Sequence, residues 1–386
     1  MIERKIQPVL AKLAEQFPVV TITGPRQSGK TTLAKMQFPH YDYVNLEDPE
    51  VRRMVEDDAR EFLKRHPAPV IIDEIQRVPQ LLSYIQVLVD ESGKNGQYIL
   101  TGSHQPGLRA GISQSLAGRT AILQLLPLSI AELTDCGITM DRDDYIFKGF
   151  MPRIYDQNVD SELLYRNYFA TYVERDARQL VNIRNLNNFE VFIKLLAGRV
   201  GQVMNLSSLS NDVGVSVTTL SEWISVLEAC YIVFRLPSFY ENFGKRLLKS
   251  PKLYFTDVGL ATYLLGIKDP AQVARDPLLG GLFENMVVVE ALKARYNAGK
   301  DPELYFFRDN RGLEVDLLLY ENRQLLPVEI KAARTYSKKF TDNLVAFAQA
   351  APDALPGKVI YSGALDSGSY VNFADTEKLI CDSIAT

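Results

Sequence analysis

Residues 17–35, FPVVTITGPRQSGKTTLAK, narrow the fold of this chain more than any other stretch. A β-branched run from Val19 to Thr23 meets Gly24, Pro25, Arg26, Gln27, Ser28, Gly29, Lys30, Thr31 and Thr32, and a helical pattern follows. The spacing is G-x-x-x-x-G-K-[ST], and a strand before with a helix after is the context in which that spacing makes a phosphate cradle. Its glycines let the backbone turn N–H groups inward, and the N-terminus of the following helix adds partial positive charge. Gly24 to Thr32 are therefore predicted to bind a nucleotide. Lys30 would reach the β- and γ-phosphates, and the Thr31 hydroxyl would ligate Mg²⁺.

Such a site needs a carboxylate on a neighbouring strand, and PVIIDEIQRVP (69–79) supplies two. Asp73 is predicted to support the Mg²⁺ shell and Glu74 to act as the base for an attacking water. GQYILTGSH (96–104) ends a strand in Thr101, Gly102 and Ser103, polar groups at the end of an α/β strand where ligands bind. Ser103 is a candidate for sensing the γ-phosphate. Arg119 precedes a further strand, and two roles stand open for it. It neutralises transition-state charge, in its own subunit or a neighbour's, or it pairs with a surface carboxylate.

The 386-residue length implies two or three domains. A net charge of −4 excludes a globally basic nucleic-acid coat, while leaving room for a local basic patch. The three cysteines, Cys136, Cys230 and Cys381, form neither a metal-ligand spacing nor a disulfide framework. No apolar run reaches membrane-spanning length, and the first residues are not a signal peptide. A cytoplasmic protein with no membrane partner is expected.

GPRQSGKTTL, VIIDEIQRVP, ILTGSHQ, SLAGRT and LPLSIAEL together resemble the AAA-type ATPase module of a large bacterial and archaeal family of ATP-binding proteins. The C-terminal domain of that family has no characterised function. The resemblance continues through GFMPRIYD (149–156), YFATYVERDARQLVNIRN (168–185) and KRLLKSPKLYFTDVGLATYLLG (245–266), and so covers nearly the whole chain. It implies an AAA-like α/β fold that uses ATP.

In the middle, residues 204–240 read as helix, tight turn, helix and two short strands, with Gly214 at the turn. The pattern resembles a winged helix-turn-helix. Its second helix carries no Lys or Arg, which makes it a poor phosphate binder alone. Lys245, Arg246, Lys249 and Lys252 offer a compensating patch. DNA contact and a protein-facing role both stand.

The hairpin EVDLLLYENRQLLPVEIKA (314–332) raises a different question. Alternation along a strand puts Glu314 with Asp316 on one face and Glu329 with Lys331 on one face. These charges form either a solvated salt bridge or a metal site that cuts phosphodiesters. A helix with Glu284 comes before, and the order helix, strand, strand, strand, helix resembles the PD-(D/E)XK nuclease superfamily. That resemblance implies a divalent metal held by Glu284, Asp316 and Glu329, with Lys331 orienting the nucleophilic water.

The expected fold class is thus α/β: an AAA-like P-loop ATPase domain (1–135), a helical linker and winged helix-turn-helix (136–250), and a nuclease-like α/β domain (251–386). ATP and Mg²⁺ are the expected cofactors. Nucleic acid, DNA ahead of RNA, is the expected partner, with a homo-oligomer or a protein partner as further candidates. Three functions compete: ATP hydrolysis coupled to a nuclease-like domain acting on nucleic acid, an ATP-dependent regulatory switch that meets a protein partner and whose nuclease-like domain is inert, and a nucleic-acid remodeller that uses ATP mechanically in a ring.

Overall fold

The computed structural model describes residues 2–103, 114–173, 186–239, 250–365 and 367–382. The N-terminal part is a five-stranded sheet in the order β2-β3-β4-β1-β5, with every neighbouring pair parallel. Its strands are β1 (Val19–Gly24), β2 (Asp42–Asn45), β3 (Val70–Asp73), β4 (Tyr98–Ser103) and β5 (Thr120–Gln124). Apolar side chains fill both faces, as a sheet covered on both sides requires. Val20, Ile22, Ile71 and Ile99 pack with Leu10, Leu33 and Ala34 of the helices Gln7–Gln16 and Lys30–Gln37. Val19, Ile72, Tyr98 and Leu100 pack with Phe62 and Ile85 of the helices Ala59–Arg65 and Leu81–Ser92. Strands that are parallel end together, so the loops after β1, β3 and β4 meet at one edge.

The middle is mostly helical. The helices Leu206–Val213 and Val217–Ala229 flank Gly214, and two antiparallel strands follow, β6 (Val233–Leu236) and β7 (Lys252–Phe255). Trp223 anchors this unit with its ring centroid 5.3 Å from both Phe189 and Phe192. The outer face of the second helix exposes Thr218, Ser221, Glu222 and Ser225 and bears no cation.

The C-terminal sheet runs β12-β11-β10-β9-β8, built from β8 (Leu304–Arg308), β9 (Glu314–Glu321), β10 (Gln324–Lys331), β11 (Lys358–Tyr361) and β12 (Tyr370–Asn372). β8, β9 and β10 form an antiparallel meander, and β10, β11 and β12 are parallel. The long helix Leu279–Asn297 packs on one face with Leu317, Val328 and Ile360 in its cluster, while the helix Asp342–Ala350 covers Val315, Leu318 and Val359. β12 has no counterpart in the sequence reading, because three residues are too short to show a period.

Buried charges join the front and back of the molecule. Glu290 of the long helix accepts from the backbone N–H of Ile130 at 2.8 Å and from Lys293 at 2.7 Å, and Lys293 also donates to the Leu128 carbonyl at 2.7 Å. Glu290 and Lys293 are almost fully buried. Removing one partner of such a pair strands the other charge, so Glu290→Ala is predicted to cost about 3–5 kcal/mol. Denaturant unfolding measures it; a cost below about 1 kcal/mol would contradict the role given to this pair.

Candidate functional site

The phosphate loop leaves β1 at Gly24 and enters the helix Lys30–Gln37 through Gly29. A Cβ on Gly24 would lie 2.1 Å from the Leu125 carbonyl oxygen, so no side chain fits there. Gly29 has φ +93°, in the region that glycine alone occupies without strain. Within the loop the Ser28 hydroxyl donates to the Pro25 carbonyl at 2.9 Å. Lys30 Nζ donates to the carbonyls of Pro25 at 2.7 Å and Gly24 at 3.2 Å. Burial lowers the Lys30 ammonium to about 8 against the opposing pull of Glu74 and Asp73.

Asp73, at the end of β3, ties the site together. Its carboxylate accepts from Thr31 Oγ1 at 3.0 and 2.9 Å, from the Tyr43 hydroxyl at 3.0 Å, and from Thr101. Next to it, Glu74 adopts a left-handed conformation with φ +58°. Gln76 bridges two neighbours, its amide nitrogen donating to Glu74 and to Ser103 Oγ at 3.1 Å. The Gln76 amide oxygen is buried with no hydrogen-bond partner among the described residues. Lys30, Thr31, Asp73, Glu74 and Ser103, picked out from separate motifs, thus gather at one edge of the sheet. Tyr43 and Gln76 are additions that no motif spacing marks; Gln76 lies in the short 3-10 turn Ile75–Arg77 after Glu74.

From the opposite side, Arg4 braces the loop. Its guanidinium donates to the carbonyls of Ser28 (2.8 Å) and Leu126 (2.7 Å) and to the carboxylate of Glu132 (3.0 Å). No sequence signal marks Arg4, since its partners lie up to 128 residues away.

Arg119 requires a correction. The Arg119 carbonyl accepts from Val19 N at the start of β1, whereas the phosphate loop follows the end of β1. With β1 and β5 parallel, Arg119 stands at the opposite edge of the sheet, where it pairs with Asp90 at 2.5 and 2.8 Å. It does not reach the phosphate loop of its own chain, and the surface ion pair is what the structure contains.

At the C-terminal sheet the expected metal-holding residues Glu284, Asp316 and Glu329 are found with lysines against them. Among the described residues no group of three or more His, Cys, Asp or Glu side chains is arranged to hold a metal. Lysines stand between the carboxylates instead. Lys252 Nζ lies 2.8 Å from Glu284 and 2.6 Å from Glu314, and the Tyr254 hydroxyl donates to Glu284 at 2.6 Å. Lys331 Nζ lies 3.0 Å from Asp316 and 2.5 Å from Glu329. The backbone N–H of Ile330 donates to Asp316 at 2.8 Å, and the ladder between β8 and β9 shifts register between Tyr305 and Phe307. Strict alternation along β9 therefore fails beside Asp316: Glu314 touches Lys252 and Asp316 touches Lys331, while the Asp316 charge also acts on Lys252 and Glu284. Burial pushes Glu284 up to about 7, against Lys252. Burial and then the Asp316 charge push Glu329 up to about 7, against Lys331. Lys252, assigned from sequence to a surface patch, is buried in this cluster, and Lys245, Arg246 and Lys249 lie outside the described residues.

Lys252→Met is predicted to destabilise the fold by about 3 kcal/mol by leaving Glu284 and Glu314 without their cation. Unfolding in urea at neutral pH measures this, and an unchanged midpoint would contradict the arrangement.

The family described as an AAA domain matches residues 16–134, and two domains of unknown function match residues 139–271 (DUF8612) and 279–373 (DUF4143). The Mycobacterium tuberculosis protein named Uncharacterized protein Rv2008c is 32% identical over 334 residues, covering 85% of this chain and 73% of that protein. A Haemophilus influenzae protein, also named Uncharacterized protein, is 25% identical over 364 residues, covering 85% of this chain and 86% of its own. The Walker-type ATPase paby2304 of Pyrococcus abyssi is similar at TM-score 0.47 and 14% identity over 68% of this chain and 96% of its own, a likeness too low to carry weight. No helix among the described residues is long and apolar enough to cross a membrane. The chain belongs to the same family as Rv2008c of Mycobacterium tuberculosis, and its N-terminal third is an AAA domain with a P-loop ATPase-type fold.

Proposed function

We propose that this protein binds ATP with Mg²⁺ at residues 24–32 and hydrolyses it with Glu74 as base. One observation carries the reading: the Thr31 hydroxyl meets both oxygens of the Asp73 carboxylate, and Glu74 is the next residue. A hydroxyl and a carboxylate are an oxygen-only donor set, which suits a hard divalent cation. Thr31 and Asp73 would hold Mg²⁺, which when bound spreads the charge of the β- and γ-phosphates. Loop N–H groups and Lys30 bind the phosphates. Glu74, steadied by Gln76, takes a proton from the attacking water as the new oxygen–phosphorus bond forms and the bond to ADP breaks.

Lys30→Ala should abolish ATP binding, and Glu74→Gln should keep binding while slowing turnover by at least about a hundredfold. Calorimetry and phosphate release measure the two. Tight binding by Lys30→Ala, or full turnover by Glu74→Gln, would refute the assignment.

For the C-terminal half we favour the switch reading, with a nuclease-like sheet that does not cut. Its support is the lysine neutralisation of Glu284, Glu314, Asp316 and Glu329. In this reading the partner of the C-terminal half is a protein. The prediction is that wild type leaves DNA and RNA intact with Mg²⁺ or Mn²⁺, with or without ATP. Metal-dependent cutting that Asp316→Asn abolishes would overturn it in favour of an active nuclease.

A further inference from the structure

A carboxylate that stands beside a metal works only if it is aimed, and three elements aim Asp73. Thr31 Oγ1 reaches both carboxylate oxygens, Thr101 Oγ1 donates to Oδ1, and the Tyr43 hydroxyl donates to Oδ2 at 3.0 Å. Asp73 is 5% exposed, so these hydroxyls stand where water would otherwise meet the charge. Thr31 follows the phosphate loop, and its grip on Asp73 is that of one metal-holding group on another. The donors from outside the loop are therefore Thr101 and Tyr43, one on each oxygen. Together they fix the carboxylate against rotation about its own axis.

Tyr43 reaches Asp73 from the side of the sheet. It lies on the edge strand β2, with its Cα opposite Ile71 and two residues before Asn45, which pairs with Asp73. Its hydroxyl crosses diagonally between the strands. The ring is held in turn by Lys35, whose Nζ lies 3.3 Å from the ring centroid. Lys35 comes four residues after Thr31 on the helix Lys30–Gln37, so both project from one helix face. Thr31 meets Asp73, Asp73 meets Tyr43, and Tyr43 meets Lys35. This closed set of contacts ties the edge strand to the loop helix through the carboxylate.

Such fixation has a chemical consequence. Mg²⁺ demands near-octahedral geometry with oxygens at about 2.0–2.1 Å, while Ca²⁺ takes about six to eight oxygens at about 2.3–2.6 Å in a flexible shell. A carboxylate locked at both oxygens suits the smaller ion, and one free to turn accommodates the larger. We propose that Tyr43 is a positioning residue that makes this site select Mg²⁺ over Ca²⁺, by holding Asp73 Oδ2 from the edge of the sheet. The proposal rests on the reading of residues 24–32 with Thr31 and Asp73 as a nucleotide–Mg²⁺ site. Tyr43 acts through Asp73 and takes no part in making or breaking bonds.

The experiment compares wild type, Lys30→Ala and Tyr43→Phe, the last of which removes the hydroxyl and keeps the ring against Lys35. Calorimetry measures binding of the non-hydrolysable β,γ-imido analogue of ATP in Mg²⁺, in Ca²⁺ and in EDTA, and thermal unfolding without nucleotide shows that each variant is folded. Tyr43→Phe should weaken binding by about tenfold in Mg²⁺, as loss of a donor behind a metal-holding group does. The loss should stay below about threefold in Ca²⁺, so that discrimination between the two ions falls. Binding in EDTA should match wild type, because the hydroxyl serves Asp73 rather than the phosphate loop. Wild-type discrimination in Tyr43→Phe, or an equal loss under all three conditions, would overturn this proposal alone. Wild-type binding that no metal strengthens, or that survives in Lys30→Ala, would overturn the nucleotide–Mg²⁺ reading and this proposal with it.

Discussion

The Asp73 carboxylate is the interaction on which the rest of the site depends. It lies at the end of a strand buried on both faces, where an ionised group is costly unless it is fully bonded. Three hydroxyls meet it, from Thr31 on the loop helix, Tyr43 on β2 and Thr101 on β4. One charge therefore fixes four separate elements in register. The parallel sheet brings their ends together, and the carboxylate sets how those ends face each other. Glu74 follows in a left-handed turn that swings the next side chain off the strand.

The same economy of buried charge governs the joints between the parts. Arg4 holds the loop carbonyl at Ser28 and the carboxylate of Glu132, whose helix begins at Ile130. Glu290 on the C-terminal helix takes the Ile130 N–H. A continuous series of buried polar contacts thus runs from the phosphate loop to the helix that supports the C-terminal sheet. Each contact is short, and each would leave a desolvated group if broken.

In the C-terminal sheet, charge has a different consequence. Carboxylates in apolar strands demand neutralisation, and either a metal or an ammonium supplies it. Here Lys252 arrives from β7, a strand of the neighbouring two-stranded sheet, and Lys331 from the strand that also carries Glu329. An ammonium carries its own covalent tether, so it neutralises these groups without any dependence on solution ions. In this structure the carboxylates of the hairpin and the long helix each have a lysine against them.

The sequence by itself determined what local chemistry specifies: the strand–loop–helix around Lys30, the strand ending in Asp73 and Glu74, the helix pair at Gly214, and the order of elements around Asp316 and Glu329. Each is written within about ten to twenty residues, in glycine positions, β-branched runs and periodic apolar residues. Tertiary structure alone decided the partners. Arg119 looked able to serve the nucleotide, and parallel pairing with β1 put it at the far edge of the sheet. Lys252 looked like a surface cation, and packing against the long helix buried it between Glu284 and Glu314. Arg4 and Tyr43 carried no signal, because their roles come from residues brought close by folding. A period fixes which face a side chain takes, but long-range electrostatic pairing depends on distances that only the packed chain sets.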